Sequence, residues 1–504
     1  MSRMRKLMVQ ASVWLLVAAC TEGDPIAPPS GGGPPVPLNV TSTQPAAGAL
    51  SVDLGVVVKA FLDAAPLGST VTVSNVQLAA GATDVPRRVL GLGQPPSVEV
   101  IAALLPGTAY TATLKTGLLG AAGQRLPAEF PWSFTTKVPQ IATLSLLAPA
   151  VAQVGLARDS VSGRLHLTAP DSVDDKLDYF TCLTSCGLTG SWSTAVIDSS
   201  VIVGQLSALA VGPAPDSRLH VVYRSQTNGN LLYATCDLDC TQPDQFDRGI
   251  VDSLGDVGGA PSIAVDENER LHVVYQDIGV QLFKYATCNA GTSDCTLLAN
   301  WTRVQLSQFP PAGGSSAIAI DPETNRIHTV YQNDATGVLL YATCLSGCGA
   351  IGGWVRGAVT VASDNGRAPA ITVDVNNRLH VTYHDAVNGD LRYTTCASAC
   401  EVPTNWSSVS IAGTQSDLTG ISSSVAVGER ERLFTVFWDD TDRALRYGTC
   451  PSNCLTAGRW IFAGLDSLPN ADRSGSSPRM LLTPTGKVSA AFLGAGDGEV
   501  KYWE

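Results

Sequence analysis

Apolar and polar residues alternate in short runs along most of this chain, and Gly, Pro, Asn and Asp separate the runs. Period-two runs of this kind predict β-strands with one buried face. From residue 138 onward the runs recur in a fixed order. They align on Arg164-Leu165-His166, Arg218-Leu219-His220, Arg270-Leu271-His272, Arg326-Ile327-His328, Arg378-Leu379-His380, Arg432-Leu433-Phe434 and Lys487-Val488-Ser489. The third positions are 54, 52, 56, 52, 54 and 55 residues apart. Such a period signals an array or a propeller. Each copy carries four strand signals, clearest in the third: Ser262–Asp266, Leu271–Tyr275, Leu282–Thr287 and Trp301–Leu306. Asn228-Gly229 and Asn388-Gly389 mark hairpins between the second and third strands.

The two ends of the repeat region complement one another. The seventh copy stops after its third strand, Glu499–Trp503. A surplus strand, Ile141–Leu146, precedes the first copy. Pairing surplus with deficit completes a seventh sheet and ties the ends together, which a linear solenoid does not need. Residues 138–504 are therefore predicted to form a seven-bladed β-propeller with four-stranded blades.

Twelve cysteines fall into six close pairs: Cys182 and Cys186, Cys236 and Cys240, Cys288 and Cys295, Cys344 and Cys348, Cys396 and Cys400, Cys450 and Cys454. Each pair follows the third strand. Zinc needs four ligands at one point, whereas each copy offers two. In an exported chain the pairs read as disulfides within one blade. A loop this short gains little from chain entropy, so the bridge serves to fix an irregular turn. The recurring tyrosine before each pair and the tryptophans Trp192, Trp301, Trp354, Trp406 and Trp460 read as packing between blades, with Phe246 standing in the second copy. Five of the six histidines share one position in the second strand and lie too far apart to meet at a metal. They read as hydrogen-bonded structural residues. His384, beside Asp385, is the exception and is expected to be exposed.

The thirteenth cysteine, Cys20, ends a segment with three basic residues and the apolar run Val13–Ala19. A basic start, a short apolar core and small residues describe a secretory signal over residues 1–19. The core is too short to span a bilayer. Val17-Ala18-Ala19-Cys20 resembles the bacterial lipobox, which implies a lipid on Cys20. Thr21 then points to the outer membrane, on its periplasmic or external side. Residues 20–37 are rich in Pro and Gly and read as a tether.

Residues 38–137 hold no cysteine and no copy of the repeat. Alternating stretches at Val56–Phe61, Thr70–Val73, Ser97–Ile101, Tyr110–Leu114 and Trp132–Thr136 fit a β-sandwich. Pro45-Ala46-Ala47-Gly48, Val58–Phe61, Leu104–Tyr110, Ala122-Gly123 and Trp132-Ser133-Phe134-Thr135-Thr136 resemble the bacterial Ig-like domain of surface-layer and other exported proteins. The resemblance implies a spacer or adhesive module, here expected to serve as a stalk for the repeat region. The fold class is therefore all-β, an Ig-like sandwich followed by a propeller.

Composition narrows the function. Charged residues make up 15%, with 48 Gly and 30 Pro, which is not a helical composition. Residues 1–19 carry three positive charges and no negative ones, so their removal takes the formal charge from −12 to −15. An acidic chain is a poor partner for nucleic acid. No nucleophile elbow, P-loop, zinc-protease or dinucleotide motif occurs. The Asp-box of sialidases is also missing. The second strands end in polar sets that include Asp277, Asp334, His384, Asp385 and Asp439. On a propeller rim these would suit sugar hydroxyls or a cation such as calcium, or simply cap turns. No cofactor is implied. Three functions fit: a lipid-anchored platform binding a glycan or protein, a polysaccharide hydrolase or lyase, or an envelope scaffold.

The lipid reading has a direct test. Cys20→Ser is expected to move the protein from the membrane fraction to the soluble one. A variant that partitions into detergent like the parent would refute lipidation at Cys20.

Overall fold

The computed structural model describes residues 36–146, 153–171, 173–237, 240–242, 244–308, 310–360, 366–413, 419–442, 444–467, 478–494 and 499–504. The signal segment, Cys20 and nearly all of the tether lie outside them.

The first unit is a two-sheet sandwich. One sheet joins Val40–Gln44, Val58–Leu62, Pro96–Ala102 and Arg87–Gly93; the other joins Ala49–Val52, Phe130–Thr136, Ala109–Leu114, Val76–Ala80 and Thr83–Asp84. Trp132 and Phe134 are buried and alternate with exposed Ser133, so the period-two pattern set the core. Tyr110 stacks on Phe134 at 5.5 Å between ring centroids. Thr70–Val73 is not the expected strand: Gly68–Thr70 is a 3-10 turn. Thr70 Oγ1 donates to the Leu67 carbonyl and accepts from the Leu119 N–H, so the side chain offers local bonds in place of a ladder.

Seven four-stranded antiparallel sheets follow. The inner strands are Gly155–Arg158, Val203–Val211, Val257–Val265, Ala312–Ile320, Gly366–Val373, Thr419–Val427 and Arg479–Leu482. Each contacts the next, and the seventh also contacts the first. In sheet seven the surplus strand Ile141–Leu146 pairs antiparallel with Glu499–Trp503, with Ala142 opposite Tyr502. Serines stitch neighbouring inner strands: Ser316 Oγ donates to the Ala260 carbonyl and Ser424 Oγ accepts from the Met480 N–H.

One aromatic contact recurs between sheets. A third-strand tyrosine meets an aromatic ring of the following sheet in the pairs Tyr179–Phe246, Tyr233–Trp301, Tyr285–Trp354, Tyr341–Trp406 and Tyr393–Trp460. Sheet six continues with Tyr447–Trp503 and sheet seven returns to sheet one with Tyr502–Trp192. The ring partners are held from both sides. In sheets one to five a histidine Nδ1 lies 2.6–2.7 Å from the tyrosine hydroxyl.

The cysteines hold the other partner. Sheets one to six each carry one disulfide within the sheet. Cys182 is bonded to Cys186, Cys236 to Cys240, Cys288 to Cys295, Cys344 to Cys348, Cys396 to Cys400, and Cys450 to Cys454. In five of these sheets the tryptophan Nε1–H donates, at 2.7–2.9 Å, to the carbonyl of the second cysteine. Trp192 bonds to Cys186, Trp301 to Cys295, Trp354 to Cys348, Trp406 to Cys400 and Trp460 to Cys454. In sheet two, Phe246 packs in the same cluster as the bridged Cys236 and Cys240 but has no N–H to donate. The disulfide loop therefore places the ring that receives the neighbouring sheet.

Sheets six and seven replace the histidine by Phe434 and Ser489, and the Ig-like unit docks there. Fully buried Arg432 donates to the carbonyls of Ala102 (2.7 Å) and Val56 (3.2 Å) and lies over the Phe434 ring. Buried Glu99 pairs with Lys59 at 3.1 Å and with Arg430 at 2.8 Å. Burial works to raise the Glu99 pKa, but Arg430 and Lys59 outweigh it and hold the carboxyl below its ordinary range. The Gly55 N–H donates to the Gly486 carbonyl at 2.7 Å, and a Cβ on either glycine would overlap the other's backbone. Leu54 joins the hydrophobic cluster shared by sheets six and seven. The first unit is thus packed on the repeat, and not held off from it as a stalk.

Burial pushes the His166 and His328 pKa values down from 6.5 to about 4. The unfolded chain takes these protons below about pH 6.5 and the folded one refuses them until about pH 4. Their stabilising effect is therefore complete above pH 6.5 and is lost as the pH falls towards 4, by on the order of 3 kcal/mol each. Urea unfolding at pH 7 and pH 4.5 should show less acid destabilisation in a double variant, His166→Gln with His328→Gln, than in the parent. Equal losses in both proteins would contradict this account.

Candidate functional site

Strand register defines two ends of every sheet. In sheet three, Asp277 closes the second strand, pairs with Leu282 at the start of the third and faces Val257 at the start of the inner strand. The second-to-third turns and the entries to the inner strands thus share one face, which we call the mouth. The disulfide loops, such as that of Cys288 and Cys295 in this sheet, lie at the opposite end.

The outermost mouth position is a turn cap. Asp171, Ser225, Asp277, Asn333, Asp385 and Asp439 each accept a backbone N–H from two or three residues further on. Short polar side chains close such turns by mimicking a backbone acceptor. Three of the expected rim carboxylates belong to this set and are buried: Asp277, Asp385 and Asp439. Each also meets a third-strand cation, Lys284 at 2.7 Å, Arg392 at 3.2 Å and Arg446 at 2.6 Å. Burial works to raise the Asp385 pKa, yet the bonds from Asn388 and Arg392 outweigh it and hold it low. These side chains are structural caps and not the open rim read from the sequence. His384 is also buried, against expectation: its Nδ1 lies 2.9 Å from the Thr419 carbonyl of the next sheet. Burial is the main cause of its lowered pKa.

Asp334 differs from the other four. It is exposed and lies one residue beyond the cap Asn333. Its Oδ2 accepts from the Gly314 N–H at 3.0 Å and from Gln276 Nε2 at 3.3 Å. A Cβ on Gly314 would crowd this carboxylate, so the glycine makes the room. Surrounding protein raises the Asp334 pKa, with the Gly314 N–H and the Arg367 charge acting against that rise.

One step inward, the residue before each cap varies from sheet to sheet: Arg224, Gln276, Gln332, His384 and Trp438 in sheets two to six. Three of them reach the following sheet. Arg224 pairs with Asp256 at 2.6 Å, Gln276 donates to the Ala312 carbonyl at 3.2 Å, and His384 meets Thr419. The sequence shows this variation plainly; which polar residues are caps and which line the opening depends on register. The five repeated histidines each stay with their own tyrosine. Among the described residues no group of three or more His, Cys, Asp or Glu side chains could hold a metal ion.

A second concavity lies on the other face, between the Ig-like unit and sheets five and six. This groove of 840 Å³ is lined by Arg88, Arg378, Arg459, Asp374 and Glu431 among others.

Two solved structures show low similarity to this chain. The polysaccharide lyase Uly1 is 13% identical with a TM-score of 0.40, over 71% of this chain and 90% of that one. A mutant of NanB sialidase from Streptococcus pneumoniae is 8% identical with a TM-score of 0.41, over 93% of this chain and 92% of that one. No curated protein sequence matches this one. Residues 35–136 match the family model of the bacterial Ig-like domain.

Proposed function

We propose that the seven sheets are the blades of a closed propeller whose mouth binds a glycan. A lipid at Cys20 holds it on the cell envelope, at the outer membrane, and the docked Ig-like unit is its rigid base. One observation carries this reading: the interior is repeated while the mouth is not. The histidine–tyrosine pair is the same in five sheets, yet the residue before the cap changes from Arg to Gln to His to Trp. A constant frame with one varied tier suits a single asymmetric site. Of this tier Arg224 and Gln276 keep exposed surface, and Asp334 stands open beside Gln276; guanidinium, amide and carboxylate groups of this kind recognise sugar hydroxyls.

Binding is favoured over catalysis by how the carboxylates are used. Asp277, Asp385 and Asp439 are committed to turn N–H groups and to cations. Asp334 alone of the expected rim carboxylates stands open.

The test is a glycan array on the full chain carrying Cys20→Ser, followed by titration of the best binder. Asp334→Ala with Gln276→Ala is expected to weaken binding at least tenfold, about 1.4 kcal/mol, with little change in melting temperature. Absence of glycan binding would refute the reading and favour a protein ligand or a scaffold. Release of new reducing ends would replace binding by hydrolysis or elimination.

A further inference from the structure

The groove between the Ig-like unit and sheets five and six is positively charged in a chain whose formal charge is −12. Five arginines and two carboxylates line its 840 Å³. Both carboxylates are committed. Asp374 Oδ1 accepts from the Asn376 and Arg378 backbone N–H groups, and its Oδ2 lies 3.2 Å from His380 Nε2. Glu431 accepts from the Asn376 side chain. Two arginines are committed as well: Arg87 donates to the Val76, Val85 and Val73 carbonyls, and Arg430 pairs with Glu99. Arg88 is half committed, since its Nη2 donates to the Arg430 carbonyl at 2.6 Å while its enclosed Nε has no acceptor. Arg378 and Arg459 are different. Both are exposed, and among the described residues neither guanidinium has a hydrogen-bond acceptor or an ion-pair partner. A hollow of 690 Å³ shares Arg88, Asp374, Arg430 and Glu431 with the groove and adds Glu429. The unbalanced positive charge therefore lies at the end that Arg378 and Arg459 line.

The repeat shows what is particular to this place. The residue before the fourth-strand tryptophan is Ser191, Asn300, Gly353, Asn405 or Arg459. Asn300 Nδ2 donates to the Asp294 carbonyl at 2.8 Å and Asn405 Nδ2 to the Ala399 carbonyl at 3.0 Å, so each amide closes its own disulfide loop. Arg459 makes no such bond and brings a charge to the groove wall instead. Arg378 holds a position that is arginine in other copies too, but its surroundings differ. In sheet two the matching Arg218 meets Asp237 of its own sheet and, at 3.6 Å, Glu269 of the next. In sheet six the residue matching Glu269 is Glu431, which is turned to Asn376. Arg430 and Glu431 both keep φ at 61°, a left-handed conformation that residues other than glycine seldom adopt. Glu99 and Asn376 hold them there. Ser452, Asn453 and Thr456 of the sheet-six disulfide loop also line the groove. Their side chains have no partner among the described residues.

We propose that this groove is a second binding site, separate from the mouth, for an acidic oligosaccharide whose carboxylate or sulfate groups are held by Arg378 and Arg459. A planar guanidinium presents paired donors that match either oxyanion. The free hydroxyl and amide groups of Ser452, Asn453 and Thr456 stand ready for sugar hydroxyls, which an acidic peptide backbone does not offer. A concave junction between two units is a common place for a ligand. The inference does not depend on what the mouth binds.

The test uses the full chain with Cys20→Ser, with and without the pair Arg378→Gln and Arg459→Gln. Galacturonate oligosaccharides, sulfated dextran oligosaccharides and uncharged dextran oligosaccharides are titrated calorimetrically at low and at physiological salt, with a glutamate peptide as the control polyanion. At least one charged oligosaccharide should bind the parent, more weakly as salt screens the exposed arginines. The double variant should lose about tenfold or more of that affinity, as expected when charge-assisted bonds are removed. Its melting temperature should stay that of the parent, since neither side chain holds a partner. Uncharged dextran should bind neither protein. The mouth variant, Asp334→Ala with Gln276→Ala, should keep the parent's affinity for the charged oligosaccharide. Equal affinity in the parent and the arginine variant would overturn the groove site, as would binding lost in the mouth variant alone. No binding of either charged oligosaccharide would overturn it too. A glutamate peptide bound more tightly than the oligosaccharides would replace the glycan by an acidic protein segment. A marked fall in melting temperature in the arginine variant would make these guanidinium groups structural and contradict the proposal.

Discussion

The contact between a tyrosine of one sheet and an aromatic ring of the next is the constraint on which the repeat depends. A single four-stranded sheet has two apolar faces and cannot bury both alone. The aromatic pair fixes the distance and rotation at which successive sheets bury them together. Offset and edge-on ring contacts add specificity to the area they bury. Each partner is also positioned by its own sheet, the tyrosine through a histidine and the tryptophan through a cysteine carbonyl of the disulfide loop, as Tyr285 is by His272 and Trp354 by Cys348. This explains why a bridge spanning only four residues is present in five of the six crosslinked sheets. Its entropic effect on so short a loop is small; its role is geometric.

The same logic explains where the repeat departs from itself. Phe434 and Ser489 take the histidine position in the two sheets that carry the Ig-like unit. In sheet six the buried Arg432 reaches from the repeat into the sandwich, and its guanidinium lies over the ring that replaces the imidazole. Breaking such a buried, bonded charge is costly, so the sandwich is tied to the repeat by more than the connecting segment. The mouth, on the far side from the disulfide loops, is left free to vary.

Much of this was legible before the structure. The 52–56-residue period, the paired cysteines and the surplus strand at Ile141–Leu146 are local signals, and local signals survive in a sequence. The histidines were legible for the same reason, since one position in five copies argues for one structural role. What the second cysteine of each pair does beyond bridging was not legible: the bond from Trp192 to the Cys186 carbonyl runs to a main-chain atom, which leaves no mark on residue choice. Exposure was harder still. Asp385 and Asp334 look alike as letters, yet one caps a turn in the interior and the other stands one residue beyond a cap. That difference is set by strand register, which no local pattern reports. The docking of the Ig-like unit was hidden because its partners, such as Glu99 and Arg430, are 331 residues apart. The loss of histidine in two adjacent copies was the available signal.

The central claim is that the aromatic contacts run unbroken around all seven sheets. Hydrogen–deuterium exchange on a Trp192→Ala variant tests it most directly, because Trp192 receives Tyr502 from the last sheet. In a closed ring, exchange should rise together in sheet one, in Glu499–Trp503 and in its partner Ile141–Leu146, and the whole repeat should still unfold in one transition at lower temperature. Faster exchange confined to sheet one, with the last sheet protected as in the parent, would show that the two ends are not coupled and would contradict the account.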